Sequence, residues 1–447
     1  MAPGGTQKRE PSPRALVIAG ITITILLAAI VALLAPKELS PTRRALEAKF
    51  AELRTNGVPV TAEEIGRALP DPPPEHDARS LLAAAFNVST GPVTKNVPVL
   101  SVDMPRRGAP IPDGAMQDME AFLVNSDRLL AAIPDDLTGA RFSMGWTNGF
   151  TNLLPQVLID ARKLLQHLSV KALYEAERHD GPRAAKSLEK GFAVTASLNR
   201  DSLVDAMVRV ACAGLICDAA EQALNRVQLT TGELQKMDAQ VRPEDMDDFS
   251  TVFMVERHFG TLIFNDMRDS TRGLRGIFIN VVQRFRGRKP LYRDEDYLLF
   301  LNFNEQQMKL QSRPLFERLQ GYAQITTNFT TNASSLAADM VMPGWSKAMR
   351  TAAETKARLV ALKTALAIER FRLANNNALP ATLDALVPGY CSAPPRDPFD
   401  DQPLRYKKLQ GGYVVYSIGP DGVDNGGAER TNRKNMSDYD VTITVER

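Results

Sequence analysis

Residues 157–200 read VLIDARKLLQHLSVKALYEAERHDGPRAAKSLEKGFAVTASLNR and contain the clearest helical pattern in the chain. The tetrapeptide HDGP at 179–182 interrupts this pattern, and Pro182 suits the first turn of a new helix. On both sides of the interruption, apolar side chains recur at the helical period. They are Val157, Leu158, Ala161, Leu164, Leu165, Leu168 and Ala172 before it, and Ala185, Leu188, Phe192 and Leu198 after it. The stretch therefore predicts two antiparallel helices joined by a short turn.

The helical pattern continues beyond this stretch. A third helix is predicted through residues 203–215, and most of residues 115–345 is amphipathic with short breaks. Long helices with short connections pack as antiparallel neighbours, so we expect a mainly α protein whose large helical domain is a bundle or a solenoid-like array. Cys212 and Cys217 fall on different faces of the third helix, which favours two buried thiols that cannot be bridged.

Residues 346–447 have a different character. A helix is predicted from Met349 to Ala374, followed by strands at Leu404–Leu409 and Tyr413–Ser417 with Gly411-Gly412 at the turn between them. Val441, Ile443 and Val445 alternate with polar residues, which is typical of a half-exposed third strand. The pattern predicts a small α+β domain with one long helix on a three-stranded antiparallel sheet.

Several short motifs in this domain occur in a characteristic order. They are Leu379-Pro380, Leu383-Asp384-Ala385-Leu386, Asp397-Pro398-Phe399, Leu404-Arg405-Tyr406, Tyr416-Ser417-Ile418-Gly419-Pro420-Asp421-Gly422, Gly426-Gly427 and Asp440-Val441. Their order resembles the periplasmic domain of the major pseudopilin of type II secretion systems. The resemblance covers about the last hundred residues and implies a pseudopilin-like α+β fold.

That pseudopilin family binds calcium in the loop before its last strand, so the resemblance implies a calcium site with Asp421 and Asp440, and with Asp424 and Asp438 as poorer matches. Calcium prefers six to eight hard oxygen ligands, which Asp, Asn and glycine carbonyls can supply. The alternative is that these Asp and Gly residues only make turns. The loop also contains Arg430, Arg433 and Lys434, whose positive charge works against a cation.

The first 114 residues predict four segments. A tail at 1–14 precedes an uncharged run at 15–35, which is long enough to cross a bilayer as one helix. The alternative is a cleaved signal peptide, but the run is longer than such peptides use and ends at Pro36. We expect a juxtamembrane helix at 36–69, in which Thr61 and Glu64 offer a capping signal. Residues 70–114 predict a proline-rich extended linker, or a covering segment with a short strand near 97–102.

The predicted single anchor favours attachment to the bacterial inner membrane. Basic residues occur on both sides of the run, so their count does not decide the orientation. A short tail followed by a large body favours a body on the extracytoplasmic side. Pseudopilins also carry a Glu at the fifth mature position, and the segment Arg14–Gly20 has none, so we do not expect the chain to polymerise as a normal pseudopilin.

The composition excludes several classes of protein. The chain has 447 residues, of which 44% are hydrophobic and 24% charged, as in an ordinary folded protein. Its 54 Lys and Arg nearly balance its 52 Asp and Glu, so nothing in the charge favours nucleic acid as a partner. Three cysteines cannot form a disulfide framework. We expect envelope proteins and the membrane as partners.

The sequence contains one weak catalytic pattern. Ser187-Leu188-Glu189-Lys190 fits the S-x-x-K motif of penicillin-binding enzymes, but no K-T-G follows it. We therefore expect a structural or interaction protein that is not an enzyme, linked to type II secretion or pilus-type machinery. The alternative is an envelope hydrolase whose site lies in the helical domain at Ser187 and Lys190.

A basic amphipathic pattern covers residues 272–289. Apolar residues Leu274, Ile277, Phe278, Val281, Val282 and Phe285 alternate there with six basic residues. Such a segment binds an anionic membrane surface or an acidic partner in some proteins. The other interpretation, which the neighbouring helices favour, is an ordinary core-facing helix with a solvated basic side.

Overall fold

The computed structural model describes residues 40–89, 107–142, 156–271, 279, 282–283, 286–341, 344–430 and 438–446. The helices in these ranges are α1 (Pro41–Thr55), α2 (Ala62–Ala68), α3 (Ala78–Ser89), α4 (Asp113–Phe122), α5 (Ser126–Ala132), α6 (Gln156–Glu177), α7 (Gly181–Ser197), α8 (Leu203–Leu224), α9 (Thr231–Gln240), α10 (Ser250–Ser270), α11 (Asp294–Leu310), α12 (Leu315–Asn332), α13 (Leu336–Met340) and α14 (Trp345–Ala374). The strands are β1 (Arg405–Lys408), β2 (Gly412–Ser417) and β3 (Val441–Glu446). The predicted mainly helical architecture with a small antiparallel sheet near the end of the chain is confirmed.

Residue contacts group Lys49–Arg447 into one compact unit and Met1–Ala48 into another, and the border falls inside α1. Of the first unit, the structure describes Ser40 and the first half of α1. An ion pair between Arg43 and Glu47, 3.2 Å apart and one turn along the helix, supports that half.

Helices α6, α7 and α8 pack against one another at the centre of the second unit, as their periodicity predicts. His179, with a left-handed φ of 59°, follows α6, and the Asp180 side chain caps α7 by accepting the N–H of Arg183 at 3.2 Å. A reciprocal capping box of Ser202 and Asp205 begins α8. The predicted burial of Cys212 and Cys217 is confirmed, and both are free thiols.

The extended linker predicted over residues 70–114 is wrong at 78–89, where α3 forms. Ala78, Leu82 and Ala85 have no exposed surface and join the same core as α6. The prolines at 70–74 end before α3 and Pro92 follows it, so they bound the helix without removing any of its hydrogen bonds. The strand predicted near 97–102 lies outside the described residues.

Two helices, α1 and α2, occupy the described part of the predicted juxtamembrane segment. The predicted capping signal is confirmed, because Thr61 accepts the N–H of Glu64 while the Glu64 carboxylate accepts the N–H of Thr61. Further along the chain, α10 and α11 pack through aromatic rings. Phe264 stacks on Tyr297 with ring centroids 4.6 Å apart.

Helix α14 packs along the sheet, whose strand order is β1-β2-β3 with antiparallel pairing throughout. Central strand β2 is buried along its whole length, and Val415 pairs with Tyr406 on one side and Ile443 on the other. The Tyr413 hydroxyl donates to Ala365 O in α14 at 3.2 Å. The predicted helix, hairpin and third strand are all present, but the prediction that the third strand is half-exposed is wrong, because no residue of β3 is exposed and Thr444 is buried.

No helix among the described residues is both long and apolar enough to cross a membrane. The predicted anchor at 15–35 and the tail at 1–14 lie outside the described residues.

Candidate functional site

The predicted calcium loop lies between β2 and β3, and Asp440 is its most buried acid. Only 2% of Asp440 is exposed, and its carboxylate accepts the N–H of Asn425 at 3.2 Å and of Gly427 at 2.7 Å. Burial raises the pKa of Asp440, while these hydrogen bonds act in the opposite direction. A buried carboxylate with this balance would be stabilised in its ionised form by a nearby cation.

Asp421 lies near the start of the same loop, shortly after β2. Its Oδ1 accepts the N–H of Val423 at 3.1 Å, and its Oδ2 accepts the N–H of Asp438 at 3.0 Å and the Asn425 amide at 3.3 Å. Asn425 therefore bonds to Asp421 through its side chain and to Asp440 through its backbone. The structure thus brings the two better-matched acids to the two sides of one residue.

The two poorer matches have other surroundings. Asp424 accepts the N–H of Gly426 at 2.9 Å and lies 3.9 Å from the Arg405 guanidinium. Asp438 is exposed and has a left-handed φ of 65°. The Arg430 guanidinium lies over the Tyr439 ring, 4.9 Å from the ring centroid. Tyr439 directly precedes Asp440 in the chain.

A calcium site needs several of these carboxylates to lie around one point. Within the part of the chain that the structure describes, no three Asp, Glu, His or Cys side chains are grouped so that they could hold a metal ion. The carboxylate oxygens of Asp421 and Asp440 accept hydrogen bonds from amide groups, and Asp421 Oδ2 already accepts two of them. Residues 431–437 of this loop lie outside the described residues, and calcium binding stays a prediction.

Asp397 is a buried acid for which the sequence motifs predict no role. It is 1% exposed, and its carboxylate accepts the Ser417 hydroxyl at 2.6 Å, the N–H of Ile418 at 2.9 Å and the guanidinium of Arg405 at 2.6 Å. Three of the short motifs of this region thus meet at one carboxylate. The only indication of this cluster in the sequence is the order of the motifs, because each motif supplies one part of the cluster.

The outer edge of β3 is bonded to helix α8. The Asn225 side-chain amide, just after α8, donates to Thr444 O at 2.7 Å, and its Oδ1 accepts the N–H of Glu446 at 2.8 Å. Glu221, one turn earlier, accepts the N–H of Thr444 at 3.0 Å. Three polar groups of the strand edge are therefore satisfied by α8 side chains.

A strap at residues 107–111 runs past the same junction. Arg107 forms ion pairs with Glu446 and, at 2.8 Å, with Glu429. Arg226 donates to Ala109 O at 3.3 Å and lies 2.7 Å from Glu177. The strap therefore joins β3 to the ends of α6 and α8.

A cleft of about 350 Å³ opens between this junction and the calcium loop. Its wall includes Glu221, Glu354, Arg358, Arg430 and Asp440. Arg358 bonds to Glu221 at 2.7 Å, and burial raises the pKa of Glu354. The cleft connects the C-terminal unit with the helical region through charged side chains of both signs.

The structure gives Ser187 and Lys190 separate partners. Ser187 has no exposed surface, and its hydroxyl donates to Glu175 at 2.9 Å. The Lys190 ammonium donates to Ile133 O at 2.6 Å, to Pro134 O at 2.7 Å and to the Asp135 carboxylate at 2.7 Å. A serine–lysine mechanism needs the amine beside the hydroxyl, and here each group is bonded elsewhere.

Comparisons with known proteins return no relative. No family model, no curated protein and no solved structure matches the chain.

Proposed function

We propose that the chain is a single-pass protein of the bacterial inner membrane whose extracytoplasmic body has a structural, protein-binding role connected with type II secretion or pilus-type machinery. Residues 15–35 are its anchor in this proposal. The order of motifs in residues 346–447 supplies the connection with pseudopilins, and calcium in the loop of Asp421, Asp424, Asp438 and Asp440 belongs to the same proposal.

The observation that carries this proposal is the way the C-terminal unit is built into the body. Helix α14 packs on the sheet and also on α8 and α12, and the β3 edge is bonded to Asn225 and Glu221. The β3 edge, which is already occupied, cannot accept a strand from another subunit. This favours a fixed component that contacts partners through its surface over a subunit that adds strands to a polymer at that edge.

The exposed tip of the calcium loop offers a direct test. Val423 is 55% exposed there, and Val124, which is 78% exposed on the helical part, is a matched control. A photo-crosslinking amino acid would be placed at each position in the full chain, in cells that carry a secretion system of this type. We expect an envelope protein to be captured at 423 and not at 124.

Topology is tested separately with reporter fusions at the C-terminus. We expect activity from a reporter that works only outside the cytoplasm and carbonate-resistant association with membranes. Crosslinking no stronger at 423 than at 124, or release of the chain by carbonate, would contradict the proposal.

A further inference from the structure

Helix α13 presents two large apolar side chains to solvent. Leu336 is 39% exposed and Met340 is 52% exposed, while Ala337 and Ala338 between them are buried. The two exposed residues are four positions apart and therefore lie on the same side of the helix. Single exposed apolar side chains are ordinary. Leu336 and Met340 together form a small exposed apolar patch next to a basic segment.

A basic segment runs directly along this helix. Pro290 O accepts the N–H of Leu336 at 2.8 Å, and Leu291 O accepts the N–H of Ala337 at 3.1 Å. Lys289 reaches Asp339, on the exposed side of α13, at 2.7 Å. Arg286 and Arg288 come immediately before and are exposed. We call Arg286, Arg288, Lys289, Leu336 and Met340 the α13 face.

Basic side chains outnumber acidic side chains among the exposed residues that surround the α13 face. Asp339 is paired with Lys289, and Glu295 lies 3.4 Å from Arg293. Asp294 accepts the hydroxyl of Tyr292 at 2.5 Å. These acids lie beside Lys289, Arg293 and Tyr292, and the two arginines at 286 and 288 add positive charge at the exposed surface.

We propose that the α13 face lies on the anionic phospholipid surface of the membrane that holds the anchor. Arginines attract anionic headgroups, and side chains such as Leu336 and Met340 insert at the boundary between headgroups and acyl chains. Each arginine near such a surface strengthens association by roughly fivefold. This contact would attach the chain to the membrane at a second place, in addition to the anchor. The inference rests on the membrane attachment proposed above.

Met340 is a built-in reporter for this contact. The full chain would be placed in lipid nanodiscs of phosphatidylcholine alone, or with one third phosphatidylglycerol, and its oxidation by hydroxyl radicals followed by mass spectrometry. We expect oxidation of Met340 to slow at least threefold in the anionic discs. The exposed residues Val124 and Val423, which lie elsewhere, should react equally in both.

Charge reversal supplies the matched comparison. In R286E/R288E we expect the protection of Met340 to disappear, whereas R79E/R128E, which changes two exposed arginines in other helices, should keep it. Equal oxidation in both kinds of disc would overturn the proposal. Protection that survives R286E/R288E would also overturn it, since a protein or chain segment covers the face in that case.

Failure of the anchor gives a different result. A chain that elutes without discs contradicts membrane insertion of residues 15–35. The oxidation of Met340 with anionic or zwitterionic vesicles added to that chain still decides whether the α13 face binds lipid.

Discussion

The side-chain amide of Asn225 pairs with the backbone beside Thr444 as a neighbouring strand would. It donates to Thr444 O at 2.7 Å and accepts the N–H of Glu446 at 2.8 Å, so one side chain makes two bonds to the edge of β3. Asn225 is 4% exposed, so water cannot easily replace these bonds. This contact joins the sheet directly to helix α8, in addition to the packing of α14 on the sheet.

Removing this amide should loosen the sheet edge. In Asn225→Ala two backbone groups of β3 lose their partner, and we expect the free energy of unfolding to fall by about 2–4 kcal/mol. Hydrogen exchange at the Glu446 amide should accelerate. Urea denaturation and exchange measured by mass spectrometry check both effects.

The control is Gln235→Ala, at an exposed position of helix α9. It should change the unfolding free energy by no more than about 0.5 kcal/mol. An Asn225→Ala variant as stable as this control would show that the strand edge does not depend on the amide.

Two helical glycines should respond in opposite ways to alanine. A Cβ at Gly260 in α10 would lie 2.0 Å from the Phe300 ring of α11, whereas a Cβ at Gly214 in α8 would meet nothing within 4 Å. We expect Gly260→Ala to destabilise by roughly 3 kcal/mol through overpacking and Gly214→Ala to stabilise by about 0.5–1 kcal/mol. Thermal melting of both variants tests this, and equal melting temperatures would contradict the close packing of α10 on α11.

The elements that could be predicted from the sequence are those with local signals. The helical period and the HDGP break suffice for α6 and α7, and alternation with Gly411-Gly412 suffices for the hairpin. Helix α3 is harder to predict because the segments on both sides of it are rich in proline, which indicates extended chain. Its own apolar positions, such as Leu82 and Phe86, do have the helical spacing.

The junction at Asn225 could not be predicted from the sequence. Asn225 and Thr444 are far apart in the chain, and an asparagine after a helix is an ordinary helix stop. Nothing local distinguishes an asparagine that ends a helix from one that also bonds to a strand. The same holds for Asp397, whose partners Arg405, Ser417 and Ile418 come from two other motifs and meet it only in the folded chain.

Lys190 should act as a structural cation. Its ammonium donates to the carbonyl oxygens of Ile133 and Pro134. The variant Lys190→Met keeps an apolar side chain of similar length but leaves these two carbonyls without their donor. We expect a loss of roughly 2–3 kcal/mol in unfolding free energy by urea denaturation. Lys186→Met, at an exposed position one turn earlier on α7, is the matched control and should be nearly neutral. Labelling of the chain by a serine-reactive probe that is lost in Ser187→Ala would instead favour the hydrolase.

Calcium should stabilise the loop if Asp421 and Asp440 are ligands. At a calcium concentration one hundred times the dissociation constant, binding to the folded chain alone adds about 2.7 kcal/mol, so the melting temperature should rise in calcium and fall again with chelator. Asp440→Asn and Asp421→Asn should remove this response, whereas Asp384→Asn, at an exposed position outside the loop, should keep it. A melting temperature that does not depend on calcium would remove the site.

Glu256 in α10 should make the stability depend on pH near neutrality. Burial raises its pKa to about 7, and the nearby carboxylate of Asp205 acts in the same direction. The folded chain therefore binds a proton that the unfolded chain releases above its ordinary pKa of about 4.5. The contribution of Glu256 to stability is fully present below that value and is lost as pH rises to about 7, by up to about 3 kcal/mol.

Glu256→Gln removes this titration and keeps an oxygen that can accept the N–H of Leu203, which Glu256 accepts at 2.8 Å. At pH 8 the variant should be more stable than the parent by about 1–3 kcal/mol, whereas at pH 4.5 the two should be similar. Glu120→Gln, at an exposed position on α4, controls for the loss of one negative charge and should follow the parent at both values. The measurement is the unfolding free energy in urea at each pH. Parallel pH profiles of parent and Glu256→Gln would show that Glu256 is ionised in the folded chain throughout this range, and that its burial does not hold the proton.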